Sequence, residues 1–214
     1  LITVNNPQTI TAFERASRWV GTISPVTVTN LGDEESNRKA WMVGDAAFMR
    51  NWFHYLPPQV YNSPVMNQTG APLPPSGGAG PATTLGGQQI AISKHAQHPQ
   101  QAIELVRYAS SQKAQFQRVV SWPYWPPTIP DLYDHPEVVA VHPHLPEIKK
   151  FFSSGNIVVR PSKVCGPLYP QVSKAYSTAV HSILTGQVEA ATAVAELEAQ
   201  LVELTGFEVG KPRP

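Results

Sequence analysis

Thr83–Ser93, TTLGGQQIAIS, and the stretch it feeds, Pro99–Ser111, PQQAIELVRYASS, decide how the chain is read. Two adjacent glycines, Gly86 and Gly87, let the main chain bend sharply and come close to a ligand, because no Cβ stands between backbone and partner. Beyond them Ile90 and Ile92 alternate with small residues, which predicts a strand. From Gln101 onward Ala102, Ile103, Val106 and Ala109 recur at helical spacing, and Pro99 suits a first helical turn. Strand, loop and helix in succession predict an α/β domain.

On the amino-terminal side, Ile2–Val4 is a short strand candidate. Asn6-Pro7 turns into a helix carrying Ile10, Phe13, Ala16 and Val20 on one face, and Gly21 stops it. Thr22–Leu31, rich in Thr and Val with Pro25, reads as loop. Asp33 is placed to cap a helix over Glu34–Val43, which Gly44 ends, and the successive acids Asp33, Glu34 and Glu35 match the positive end of a helix dipole. Ala46–Met49 reads as a buried strand delivering Asn51-Trp52-Phe53 to its carboxyl end, where open α/β sheets hold ligands. By position alone, Trp52 and Phe53 read first as core and second as a ligand platform. Val60–Gly80 is dotted with proline and glycine, and Pro72–Gly80 sustains neither helix nor central strand.

On the carboxyl side, Gln112–Val120 is a second helical segment, followed by Ser121–Pro130, SWPYWPPTIP, which its prolines make extended and stiff. Trp122, Tyr124 and Trp125 read first as core or packing residues and second as a ligand or partner platform. His135, His142 and His144 invite a metal reading, since H-x-H can set two imidazoles on one side of a strand. However, Pro136, Pro143 and Pro146 interrupt regular structure and no cysteine or carboxylate pair completes a ligand set. They read as solvent-exposed loop histidines, as do His95 and His98, with no metal and no cofactor. Two amphipathic helices, Tyr169–Leu184 and Glu189–Leu204, finish the chain. Val172, Ala175, Tyr176, Ala179 and Ile183 form one face, Val194, Leu197, Leu201 and Leu204 the other, and the Thr185-Gly186 break predicts an antiparallel hairpin.

The 214 residues are enough to bury a core. A net charge of +1 with 14% charged residues gives no electrostatic argument for nucleic acid or an anionic membrane. No apolar run approaches the length of a membrane span. Cys165 stands alone, which excludes an internal disulfide framework. Asn67-Gln68-Thr69 matches a glycosylation acceptor, relevant only in a eukaryotic secretory source. G-x-S-x-G, H-E-x-x-H, P-loop and G-x-G-x-x-G motifs are all missing, so no enzyme is expected.

The order of NNP at Asn5–Pro7, AWMVGDAAFMRNW at Ala40–Trp52, TLGGQQIAIS, the P-x-x-A-I-x-L-V-x-Y helix and RPS…YPQVS…ILTGQ at Arg160–Gln187 resembles extracellular solute-binding proteins of sugar-importing ABC transporters, trehalose/maltose type. The likeness covers nearly the whole chain but about the C-terminal half of such a protein. It implies a partial periplasmic-binding-protein-like α/β fold of type II. Residues 1–76 would then be part of the C-lobe, 77–130 a crossover segment of the other lobe, and 131–214 a helical return. It further implies a sugar held in an interlobe cleft, lobe closure about a hinge, and docking on membrane subunits of an importer. Trp52 would stack on a pyranose, Gly87 would present main-chain donors, and Arg160, held before Pro161, would donate its planar fork to hydroxyls. A surface ion pair is the other reading of Arg160. Where the family often has Trp, a second stacking plane, this chain has Gln88, which bonds hydroxyls without stacking. An extracellular or periplasmic location follows from the same likeness, although no signal peptide is visible at Leu1. The alternative is a secreted lectin-like or interaction protein that keeps the scaffold without transport, as a homo-oligomer.

Overall fold

A computed structural model of the chain describes residues 1–30, 32–52, 65, 82–122, 125–153 and 157–211. It divides into two compact units, Leu1–Gly32 with Arg160–Pro214, and Asp33–Val159.

The first unit is helical. Helix α1 (Pro7–Trp19) begins where expected, because Asn6 stays extended and its side-chain oxygen accepts from Thr9 N at 2.9 Å, while Pro7 brings no orphan N–H to the first turn. It ends at Val20, and Gly21 takes a φ of 80°. A short helix α7 (Ser162–Cys165) leads into α8 (Tyr169–Leu184) and α9 (Ala190–Thr205). These two pack together through Val172 and Ala175 against Leu197 and Leu201, and through Ile183 against Ala190, Ala193 and Val194. Ile10 and Phe13 of α1 pack on the second cluster, and Ser17 Oγ donates to Ile183 O at 3.1 Å. Removing each such Leu, Ile or Val side chain from water contributes about 1.5–3 kcal/mol. The expected faces are those observed, except that Tyr176 is exposed, tilted against Phe13 at the margin of the hairpin. Ile2 bridges Val209 in parallel, with Ile2 N donating to Glu208 O and Gly210 N to Ile2 O, both at 2.8 Å.

The second unit opens with α2 (Glu34–Met42), capped by Asp33, whose carboxylate accepts from Ser36 N at 2.7 Å. Strand β1 (Thr83–Thr84) pairs in parallel with β2 (Ile157–Val158), in register Thr83 with Ile157 and Thr84 with Val158. Helices α3 (Pro99–Ser110) and α4 (Gln112–Ser121) meet at Ser111, which ends one and caps the other through Ala114 N. Buried Gln115 fixes the stiff stretch after α4: its Oε1 accepts from Thr128 N at 2.7 Å and its Nε2 donates to Ser110 O at 3.0 Å. Then follow a tight 3₁₀ turn over Pro130–Asp134, α5 (Pro136–Val141) and α6 (Leu145–Ser153), around a core of Val119, Tyr133, Val138 and Leu145.

Four expectations are corrected. Ala46–Met49 is not a strand, and Phe48 is 90% exposed. The ladder at Thr83–Thr84 stops before the Ile90–Ile92 alternation, which is irregular, with Ile90 62% exposed. A period of two marks a strand only where a partner edge supplies hydrogen bonds. His135, His142 and His144 are not solvent-exposed loop residues either: His142 is 4% exposed, and His135 and His144 are half-buried, whereas His95 and His98 are exposed and irregular as expected. Pro136 and Pro146 sit in first helical turns, where a missing N–H costs nothing, so they start α5 and α6 rather than interrupt structure. Of the three aromatics after α4, Trp122 is 60% exposed and Trp125 sits at the surface, which corrects the reading of them as core, while Tyr124 lies outside the described residues. Phe53, Asn67 and nearly all of Val60–Gly80 also lie outside them.

Candidate functional site

The amino end of α2 and the Gly-Gly loop converge on Trp52. Asn51 is the bridge: its Nδ2 donates to the main-chain carbonyl of Glu34 at 2.8 Å, and its Oδ1 accepts from Trp52 N at 2.8 Å. The Trp52 indole Nε1 donates to Glu34 Oε1 at 3.0 Å. On the other side, the six-membered ring of Trp52 occupies the place where a Cβ on residue 86 would stand. Such an atom would lie 2.7 Å from Cζ3, 3.3 Å from Cζ2 and closer still to Cη2. Gly86 is therefore required by the ring rather than by its own backbone, since it is not among the glycines of positive φ. Trp52 is half-buried.

The three acids of α2 thus have three tasks beyond matching the dipole. Asp33 caps the helix, and its bond from Ser36 holds the carboxyl below its usual range. Glu34 orients the indole. Glu35 takes buried Arg38 in a two-pronged contact, 2.9 Å from Nε and 2.5 Å from Nη2, and that hydrogen bond lowers its pKa. A guanidinium taken out of water needs this partner.

Of the residues expected at a site, Trp52, Gly87 and Gln88 belong to the second unit and Arg160 to the first. Gly87 and Gln88 are exposed, and nothing lies within 4 Å of a Cβ built on Gly87, so its main chain is open. Arg160 is exposed and forms no ion pair among the described residues. The residues that sequence reasoning passed over are Glu34 and Asn51 as partners of Trp52. A buried or half-buried indole N–H seeks an acceptor, and that was the available signal, but the acceptor lies 18 residues away.

Elsewhere in the second unit, His142 and His144 meet edge to face with ring centroids 5.6 Å apart. Burial, with His142 adding its charge, pushes His144 down to about 4, and burial lowers His142. Among the described residues no three His, Cys, Asp or Glu are grouped so as to hold a metal ion. Nor is any described helix long and apolar enough to cross a membrane.

Comparison with known proteins adds the following. The sequence model of a family described as bacterial extracellular solute-binding protein matches residues 3–147. A probable ABC transporter-binding protein of Deinococcus radiodurans is 40% identical over 207 residues, which is 96% of this chain and 48% of that protein. Among solved structures, maltose-bound T. maritima MalE3 superposes with a TM-score of 0.83 at 27% identity, over 95% of this chain and 52% of its own. The chain therefore spans about half the length of these two proteins. The last match bears out the expected fold class, part of a periplasmic-binding-protein-like α/β architecture with a helix-rich carboxyl end.

Proposed function

This chain belongs to the bacterial extracellular solute-binding protein family, and from that premise we propose that the protein carrying it captures a small carbohydrate outside the cytoplasmic membrane for an ABC importer. The observation that carries the reading is the Trp52 indole, half-buried and held in one orientation by Glu34, Asn51 and Gly86. A rigid aromatic plane suits a pyranose, whose C–H face packs on the ring while its hydroxyls stay free for polar partners. In this reading Trp52 stacks, the open Gly87 main chain and the Gln88 amide meet hydroxyls, and Arg160 donates from a planar five-donor fork. The similarity to a structure holding maltose supports a disaccharide of that kind as the first ligand to try. The protein performs no chemistry on the sugar and needs no cofactor; its partners are the importer's membrane subunits.

The test is calorimetric titration of the full-length protein with maltose, trehalose and, as a non-sugar control, a free amino acid. Saturable heat with a sugar and none with the amino acid is the expected result. Saturation by the amino acid and by neither sugar would overturn the ligand class while leaving the family intact.

A further inference from the structure

We propose that Glu34 is a positioning residue for ligand binding, one that acts through Trp52 by setting the plane of its indole before the ligand arrives. For its ligand the proposal rests on the carbohydrate reading above; for its geometry it rests on three hydrogen bonds and one missing Cβ. Glu34 takes part in two of the three bonds, receiving Trp52 Nε1 on its carboxylate and Asn51 Nδ2 on its carbonyl, while Asn51 closes the ring by accepting Trp52 N. The indole N–H direction thereby fixes rotation about the side-chain bonds. The bond at Trp52 N fixes the main chain from which the side chain springs, and the ring edge lies over Gly86. The anchor itself is stiff, because Glu34 sits in the first turn of a helix whose start Asp33 caps independently.

A carboxylate accepts an N–H more strongly than a neutral acceptor. Without it, the indole loses the bond that sets the direction of its N–H and must be oriented in part by each ligand, which weakens binding by about tenfold at the upper end of the usual ordering cost. The dipole reading of the three acids would make Glu34 interchangeable with any acid of that turn. The structure distinguishes it, because Asp33 and Glu35 are each committed to other partners.

The experiment uses the full-length protein and the variants Glu34→Ala, Glu34→Gln and Trp52→Phe. The near-ultraviolet circular dichroism difference between the parent and Trp52→Phe isolates the band of the Trp52 indole, and maltose titration gives affinity. Glu34→Ala should lose most of that band in the ligand-free protein and bind maltose about tenfold more weakly, with its far-ultraviolet spectrum unchanged because Asp33 still caps α2. Glu34→Gln, of equal length and with a carbonyl in place, should keep the band and recover affinity to within about threefold. A purely structural role lowers the melting temperature of Glu34→Ala but leaves the Trp52 band and the affinity unchanged, and that outcome overturns the proposal. If the parent protein takes up neither maltose nor trehalose, the carbohydrate reading falls, and the spectra alone decide: a band that survives Glu34→Ala overturns positioning, while one lost and restored by Glu34→Gln upholds it.

Discussion

Substituting Gly86 and Gly87 by alanine separates sterics from every other effect of replacing a glycine. Neither has a positive φ, so neither substitution carries the left-handed penalty, and both restrict the unfolded chain alike. What differs is the neighbour. A Cβ at residue 86 would lie 2.7 Å from Trp52 Cζ3 and closer to Cη2, against a comfortable carbon–carbon separation of about 3.5 Å. The indole must therefore move by at least about 0.8 Å, which disturbs the geometry of the 3.0 Å bond from Nε1 to Glu34. Losing a hydrogen bond to a charged group costs about 1.5–3 kcal/mol, and overpacking without that movement costs about 1–3 kcal/mol. By either route Gly86→Ala should lose about 2 kcal/mol relative to Gly87→Ala, which meets nothing within 4 Å and should stay within about 0.5 kcal/mol of the parent. Denaturant unfolding followed by tryptophan emission measures both stability and the indole environment. Equal midpoints and identical emission for the two variants would refute the placement of Trp52 on Gly86.

Gly206, just past α9 at a φ of 67° with open space around it, tests the opposite case: Gly206→Ala should cost about 1 kcal/mol from backbone strain alone, read as a lowered unfolding midpoint. Acid should destabilise the second unit through its buried imidazoles. The folded pKa of His144 is lowered from 6.5 to about 4, so between those values the unfolded chain binds more protons and stability rises with pH. The contribution is fully present above pH 6.5 and is lost as pH falls toward 4, by at most about 3 kcal/mol before solvent screening of a half-buried ring is counted. His144→Asn should flatten that slope in unfolding midpoints measured across this window, and an unchanged slope would place the acid sensitivity elsewhere.

Helices were legible because their signals are local. Asn6-Pro7 and Gly21 bracket α1, Asp33 and Gly44 bracket α2, and the apolar faces of α8 and α9 carry the core that the spacing predicts. Strands were not, because pairing is settled by a distant edge. Thr83 and Thr84 form a ladder with Ile157 and Val158 more than seventy residues on, whereas Ile90 and Ile92, with the better alternation, have none among the described residues. The burial of His135, His142 and His144 is illegible for a related reason: prolines that look like interruptions in a linear reading become helix starts once α5 and α6 have a core to pack on. At the site, the aromatic plane and the Gly-Gly loop could be singled out from composition and resemblance. That Glu34 holds both Asn51 and Trp52, and that Gly86 rather than Gly87 makes room for the indole, depend on contacts across 17 or more residues.

The central claim is that a sugar ring stacks on Trp52. The most direct measurement is maltose titration of the full-length protein followed by tryptophan emission, run in parallel on Trp52→Phe and with calorimetry on both. We predict a saturable emission change in the parent that is lost in Trp52→Phe, with affinity reduced about tenfold or more as the larger aromatic surface and its anchored orientation are removed. A saturable emission change of the same size in both proteins, at equal affinity, would contradict the account and place the ligand away from Trp52.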